Sequence, residues 1–123
     1  GGTERILVVD DEPLLLEMSR SMLEKLGYGV TVSKDSLEAL ATFKAQPDSF
    51  DLVITDQTMP GMTGIDLAKN ILQIRPDFPI ILCTGYSNII SKEEVQSVGI
   101  KGFAHKPLAK KDIATLIRTA LDE

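Results

Sequence analysis

The 123-residue chain has no tryptophan, one histidine and one cysteine. The lone Cys83 excludes an internal disulfide and a cysteine-based zinc site, and it suits a reducing compartment. No apolar run approaches the roughly 18 residues that a membrane span needs. Basic residues are in the minority, 13 Lys and Arg against 18 Asp and Glu, for a net charge of −5. Direct nucleic-acid binding is therefore disfavoured, because a phosphate backbone asks for a basic footprint. The acidity is either a matter of solubility or the mark of carboxylates gathered for a purpose. No N-terminal run of charged, apolar and small residues directs export, so a cytoplasmic location is expected. Gly1-Gly2 reads as a cloning scar; with Thr3 and Glu4 it precedes an expected single domain over residues 5–121.

What is present is an alternation of short apolar runs and helical periods, five of each. RILVVD (Arg5 to Asp10) reads as a buried strand ending in acid. Leu15, Met18, Met22 and Leu26 then recur at helical spacing, with Pro13 in the first turn and Gly27 as the stop. A second strand spans residues 30–33. Asp35-Ser-Leu-Glu38 has the form of a capping box, which predicts a helix with Leu37, Leu40 and Ala41 on its buried face, stopped by Pro47. FDLVIT (Phe50 to Thr55) is the third strand, with Asp56 at its end. Ile65, Ala68, Ile71 and Leu72 mark the third helix, and PIILC (Pro79 to Cys83) the fourth strand. Ser91-Lys-Glu-Glu94 opens a fourth helix that stops at Gly99. A fifth strand at 100–104 precedes a helix striped by Ile113, Leu116, Ile117 and Ala120. Strands apolar on both faces predict a parallel sheet covered on both sides, a doubly wound α/β fold. In such folds the site lies beyond the carboxyl ends of the strands.

Read in order, those ends carry Asp10 and Asp11, Asp56, Thr84, and Lys106. Three carboxylates, a hydroxyl and an ammonium would converge on one crevice. Clustered carboxylates repel one another unless a cation joins them, and hard oxygen ligands suit Mg²⁺. A carboxylate beside a divalent cation and a lysine is a nucleophile suited to phosphoryl transfer. Each residue also has a plainer reading. Asp10 or Asp11 would serve as a helix cap, with Asp11 open to both roles. Asp56 would be a loop acid, Thr84-Gly85 a turn, and Lys106 a solvated surface lysine. His105, the only histidine, has no ligand partner nearby in sequence and reads as a partly exposed side chain. Cys83 reads as a small core residue of low reactivity.

ILVVDDEP (Ile6 to Pro13), DLVITDQTMPGMTG (Asp51 to Gly64), ILCTGYS (Ile81 to Ser87) and FAHKPL (Phe103 to Leu108) together resemble the receiver domain of two-component response regulators, over nearly the whole chain. The resemblance implies a flavodoxin-like five-stranded sheet in the order 2-1-3-4-5. It implies that Asp56 is the phosphoacceptor and that Mg²⁺ is held by Asp10, Asp11, Asp56 and the main-chain carbonyl of Thr58. Lys106 would pair with the phosphoryl group, and Thr84 would bond to it after transfer. Thr84 would then act as a switch together with Phe103. The implied partners are a histidine kinase or histidine phosphotransfer domain upstream and a protein target downstream, with a homodimer left open and no membrane contact by this domain. TGYS and HKPL resemble receivers of hybrid sensor histidine kinases; a single-domain regulator is the competing context.

Two departures stand out. Many members of the family carry Tyr at the switch, whereas Phe103 has no hydroxyl and leaves rotation to packing. The second is Ala109 before the final helix, where Ser, Thr or Asp would cap better. Thr58 and Tyr86 stand at positions that vary in the family, and the bulky Tyr86 would shield an acyl phosphate from water. A phosphohydrolase of the haloacid-dehalogenase kind is an alternative, but it would want an acid where Thr58 stands. A flavin binder would want a phosphate cradle where Asp10-Asp11-Glu12-Pro13 is acidic. A degenerate receiver that only binds partners would not need the full set of strand-end residues.

Overall fold

The computed structural model describes residues 2–85, 90–106 and 109–122. Five parallel strands form one sheet: β1 (Arg5–Val9), β2 (Gly29–Ser33), β3 (Leu52–Asp56), β4 (Ile80–Thr84) and β5 (Gly102–His105), in the order β2-β1-β3-β4-β5. The helices α1 (Pro13–Lys25), α2 (Ser36–Ala45), α3 (Gly64–Ile74), α4 (Lys92–Val98) and α5 (Lys110–Asp122) follow the strands in turn. The expected fold and strand order are therefore observed.

The strand sequences account for the layering. Successive side chains point to opposite faces, so a strand buried on both sides must be apolar at every position. Leu7 and Val9, Val53, and Ile80 and Leu82 pack beneath α2, α3 and α4. Ile6 and Val8, Leu52 and Ile54, and Ile81 and Cys83 pack beneath α1 and α5. Phe43 anchors the first layer, with Phe78 edge-on at 5.0 Å and Phe50 stacked at 6.4 Å. Each fully buried side chain of this size stabilises the fold by about 1.5–3 kcal/mol.

Two helices sit at a different rotation from the one their periodicity suggests. In α1 the buried residues are Leu16 and Leu23, while Met18 of the expected stripe is 58% exposed. Three consecutive leucines, Leu14 to Leu16, leave the phase of the stripe undetermined, and the sheet selects the seven-residue pair. In α2, Ser36, Ala39, Leu40 and Phe43 face inward; Leu37 is 59% exposed and Ala41 is exposed as well. The Asp35 carboxylate caps this helix by accepting from the backbone N–H of Leu37 (2.7 Å) and Glu38 (3.4 Å), which fixes where its first turn begins. Ser91 caps α4 in the same way, and Gly99 closes it in the left-handed region at φ 102°. The fifth strand starts at Gly102, two residues later than expected, although Ile100 is buried in the core.

The N-terminal ends of the strands are clasped by charge. Arg5 donates to Asp51 through its backbone N–H at 2.8 Å and its guanidinium at 3.3 Å. Arg118 of α5 holds Glu4 through two bonds of 3.0 and 2.9 Å.

Ala109, the residue before the last helix, has no side-chain group that could cap it. Ala109 already accepts the first helical bond, from the N–H of Ile113 at 3.0 Å. Ala109→Ser is expected to add about 1 kcal/mol, a rise in melting temperature of about 4 °C followed by circular dichroism. No rise would mean that the first turn does not take up a side-chain cap.

Candidate functional site

The strand order reverses its direction of winding between β1 and β3, and this opens a crevice above their carboxyl ends. The site residues are those where the ladder runs out. Asp10 follows β1, and its N–H still reaches the carbonyl of Ser33 at 3.1 Å. Asp56 ends β3, with the next N–H, that of Gln57, bonded to the carbonyl of Cys83 at 2.9 Å. Lys106 follows β5, its N–H bonded to the carbonyl of Thr84 at 2.8 Å. The backbone of each is thus fixed by the sheet while its side chain points past it.

Asp10, Asp11 and Asp56 come together, with one carboxylate oxygen from each lying within 4.8 Å of the others. Asp10 and Asp56 are buried and Asp11 is half-buried. Lys106 stands between the two buried acids, 2.7 Å from Asp10 Oδ2 and 3.2 Å from Asp56 Oδ1. Burial pushes the Asp56 carboxyl above the usual aspartate range; Lys106 opposes this, and the charge of Asp10 adds to it. Burial alone would pull Lys106 down, but its hydrogen bond to Asp10 and the charges of both acids outweigh it, so Lys106 stays protonated. Three hard oxygen donors around one point, two of them withdrawn from water, form a set that fits a small divalent cation.

Neither Asp10 nor Asp11 is the N-cap of α1, contrary to the helix-cap reading. Asp10 Oδ1 accepts from the N–H of Glu12 at 3.0 Å, which turns the chain into α1, while its other oxygen holds Lys106. The N-cap position itself is Glu12, with no side-chain cap.

The loop after β3 carries Thr58, which is exposed, and is tied down on both sides. Gln57 accepts from Gly64 N through its carbonyl at 3.0 Å and from Ile65 N through its side chain at 2.8 Å. Ser36 Oγ donates to the carbonyl of Met62 at 2.7 Å, and Met59 is buried beneath. Gly64 is required at this point, because a Cβ there would collide with the carbonyl oxygen of Asp56. Gln57, Ser36 and Gly64 escape a sequence reading because what they meet is backbone and they carry no charge.

Thr84 is buried, and among the described residues its hydroxyl is paired with His105 Nδ1 at 3.3 Å, not with the carboxylates or Lys106. Phe103 is half-buried and meets the His105 ring edge-on at 5.2 Å. His105 is exposed and stands apart from the acidic cluster. Cys83 is buried, and burial pushes its thiol up to about 12, which keeps it inert. Tyr86 lies outside the described residues.

A doubly wound α/β domain whose switch point presents three acids and a lysine is built to gather a cation and an anionic group, not to cradle a nucleotide on glycine-rich backbone. A sequence model of the family described as "Response regulator receiver domain" matches residues 6–118, and the chain belongs to that family. FixJ, a transcriptional regulatory protein of Bradyrhizobium diazoefficiens, is 32% identical over 117 residues, covering 94% of this chain and 56% of FixJ. ArcB, an aerobic respiration control sensor protein of Escherichia coli, is 32% identical over 119 residues, covering 95% of this chain and 15% of ArcB. A receiver domain protein from Clostridium thermocellum superposes with a TM-score of 0.92 at 31% identity, over 97% of this chain and 94% of that one. Chemotaxis protein CheY4 of Vibrio cholerae gives 0.86 at 31% identity, over 98% and 100%. The chain spans only 15% to 56% of the length of the curated relatives it matches. Among the described residues, no helix is long and apolar enough to cross a membrane.

The raised carboxyl of Asp56 has a consequence for stability. The folded state binds this proton more tightly than the unfolded chain does. Stability is therefore lost as pH rises from the ordinary aspartate range, near 3.9, through the raised value. Asp56→Asn is expected to melt at a higher temperature than the wild type at pH 7 in metal-free buffer. The gain should shrink as the pH is lowered towards about 4. An Asn variant that melts at or below the wild type at pH 7 would show that the pairing with Lys106 outweighs the cost of burial.

Proposed function

We propose that this receiver domain accepts a phosphoryl group on Asp56 from a phosphohistidine, with Mg²⁺ held by Asp10, Asp11, Asp56 and the main-chain carbonyl of Thr58. The observation that carries this reading is the clustering of three carboxylates around one point with Lys106 bridging two of them. An Asp56 oxygen attacks phosphorus; the O–P bond forms, the P–N bond breaks, and its electron pair returns to the departing imidazole, which takes a proton from water. Bound Mg²⁺ supplies neutralisation of the phosphoryl oxygens. Burial makes the Asp56 carboxylate a better nucleophile than an exposed one, while Lys106 opposes its protonation and offers a second positive charge to the incoming group. To do so Lys106 exchanges its contact with Asp56 for one with the phosphoryl oxygens and keeps Asp10 as its anchor. Thr84 then bonds a phosphoryl oxygen, and Phe103 follows by changing its packing.

The donor is a histidine kinase or a histidine phosphotransfer domain, and the output is contact with a downstream protein target. As an isolated domain the chain promotes only its own phosphorylation and dephosphorylation. The relatives include both a regulator and a sensor protein, which fits a parent that is either a response regulator or a hybrid kinase.

The test is incubation with acetyl phosphate and Mg²⁺, followed by intact mass. Wild type should gain one phosphoryl group and Asp56→Asn none. Asp51→Asn should still gain it, because Asp51 belongs to the Arg5 clasp at the far ends of the strands. Mg²⁺ alone should raise the melting temperature of the wild type by relieving repulsion among the acids. An adduct that survives Asp56→Asn would overturn the assignment.

A further inference from the structure

The hydroxyl of Thr84 and the ring of Phe103 meet on one residue, His105. Thr84 and His105 are direct partners across the parallel β4–β5 pair, and Phe103, two residues back on β5, lies on the same face. The sheet therefore fixes the separation of Thr84 and His105, and the Lys106-to-Thr84 backbone bond locks the register one residue further on. The contact is not a chance meeting of surface side chains, because Thr84 is 1% exposed and its hydroxyl has no water-facing alternative.

The chemistry of this pair is one of competition. A threonine hydroxyl has a single proton to donate. A phosphoryl oxygen on Asp56 is acceptor-only, so Thr84 can serve it only by donating that proton. A neutral imidazole with its proton on Nε2 presents Nδ1 as an acceptor for the same proton. We propose that His105 is a positioning residue that accepts the Thr84 proton in the unphosphorylated domain and so opposes the turn of Thr84 towards the phosphoryl group. This inference rests on the phosphoacceptor reading above.

His105 also connects that hydroxyl to the aromatic switch. Phe103 lines a groove with Val95, Ile100 and Leu116, and its ring meets the imidazole in a T-shaped contact. When Thr84 leaves Nδ1, the imidazole loses that anchor and the Phe103 ring loses its fixed neighbour. A phenylalanine without a hydroxyl is in this way joined to the state of Thr84 through a histidine. A tyrosine would instead depend on a hydrogen bond of its own.

The test uses fluoroberyllate with Mg²⁺ as an equilibrium mimic of the phosphoryl group, titrated into protein carrying ¹³C-labelled threonine methyls. His105→Leu removes the acceptor and keeps bulk; His105→Asn places its Oδ1 where Nδ1 stood. With one modest hydrogen bond at stake, His105→Leu should lower the half-saturating concentration about threefold, and His105→Asn should stay near the wild type. In a Thr84→Ala background, His105→Leu should have no effect. A His105→Leu titration that matches the wild type, or a shift that persists without Thr84, would overturn the inference while leaving the phosphoacceptor reading in place. A wild type that does not respond to fluoroberyllate would overturn both.

Discussion

One ammonium group holds the working edge of this sheet. Lys106 leaves the outermost strand, β5, and reaches across the end of β4 to two carboxylates that belong to β1 and β3. Asp10 and Asp56 are buried side by side, which is tolerable only with a cation between them. The same demand shapes the surroundings. Asp10 spends its second oxygen on the turn into α1, and Gln57 closes the loop after Asp56. Gly64 lets α3 approach the carbonyl of Asp56. The crevice is thus a set of negative charges held in place before anything binds. Such preorganisation lets a bound group be stabilised without rebuilding the site.

The two layers beneath explain how that edge stays still. Leu7, Val53 and Leu82 on one face and Ile6, Leu52 and Ile81 on the other leave the central strands no freedom to slip, because a shift of one residue would exchange the two layers. Flexibility that serves a switch must then come from the sheet's margin. His105 and Phe103 are on β5, one of the two edge strands, and neither is fully buried.

Much of this was legible in the chain. Strand identity was clear because ILVV (Ile6 to Val9) and LVI (Leu52 to Ile54) are unbroken apolar runs, and Asp10, Asp11, Asp56 and Lys106 declared themselves by standing at or just past the carboxyl ends of strands. Helix rotation was less legible. Leu14 to Leu16 offer three phases to a periodic reading, and in α2 the buried Ser36 and Phe43 flank the exposed Leu37. Polarity misled there because Ser36 is buried for its bond to the carbonyl of Met62, a partner 26 positions away. The contact between Thr84 and His105 was hidden for a related reason. It depends on the β4–β5 register, which no local pattern encodes, and the lone histidine gave no sign of a partner.

The clasp between Glu4 and Arg118 sits at the opposite end of the sheet from the crevice. It brings the lead-in to the first strand against the last helix, so that both ends of the folded unit emerge from one side. Mechanically, the domain has a handle and a working tip. Whatever the chain is joined to at either end would be tethered at the handle, and the tip would be left clear for an approaching donor. The arginine that makes this clasp is held by two carboxylates, those of Glu4 and Asp122, so the joint between the two ends rests on one guanidinium.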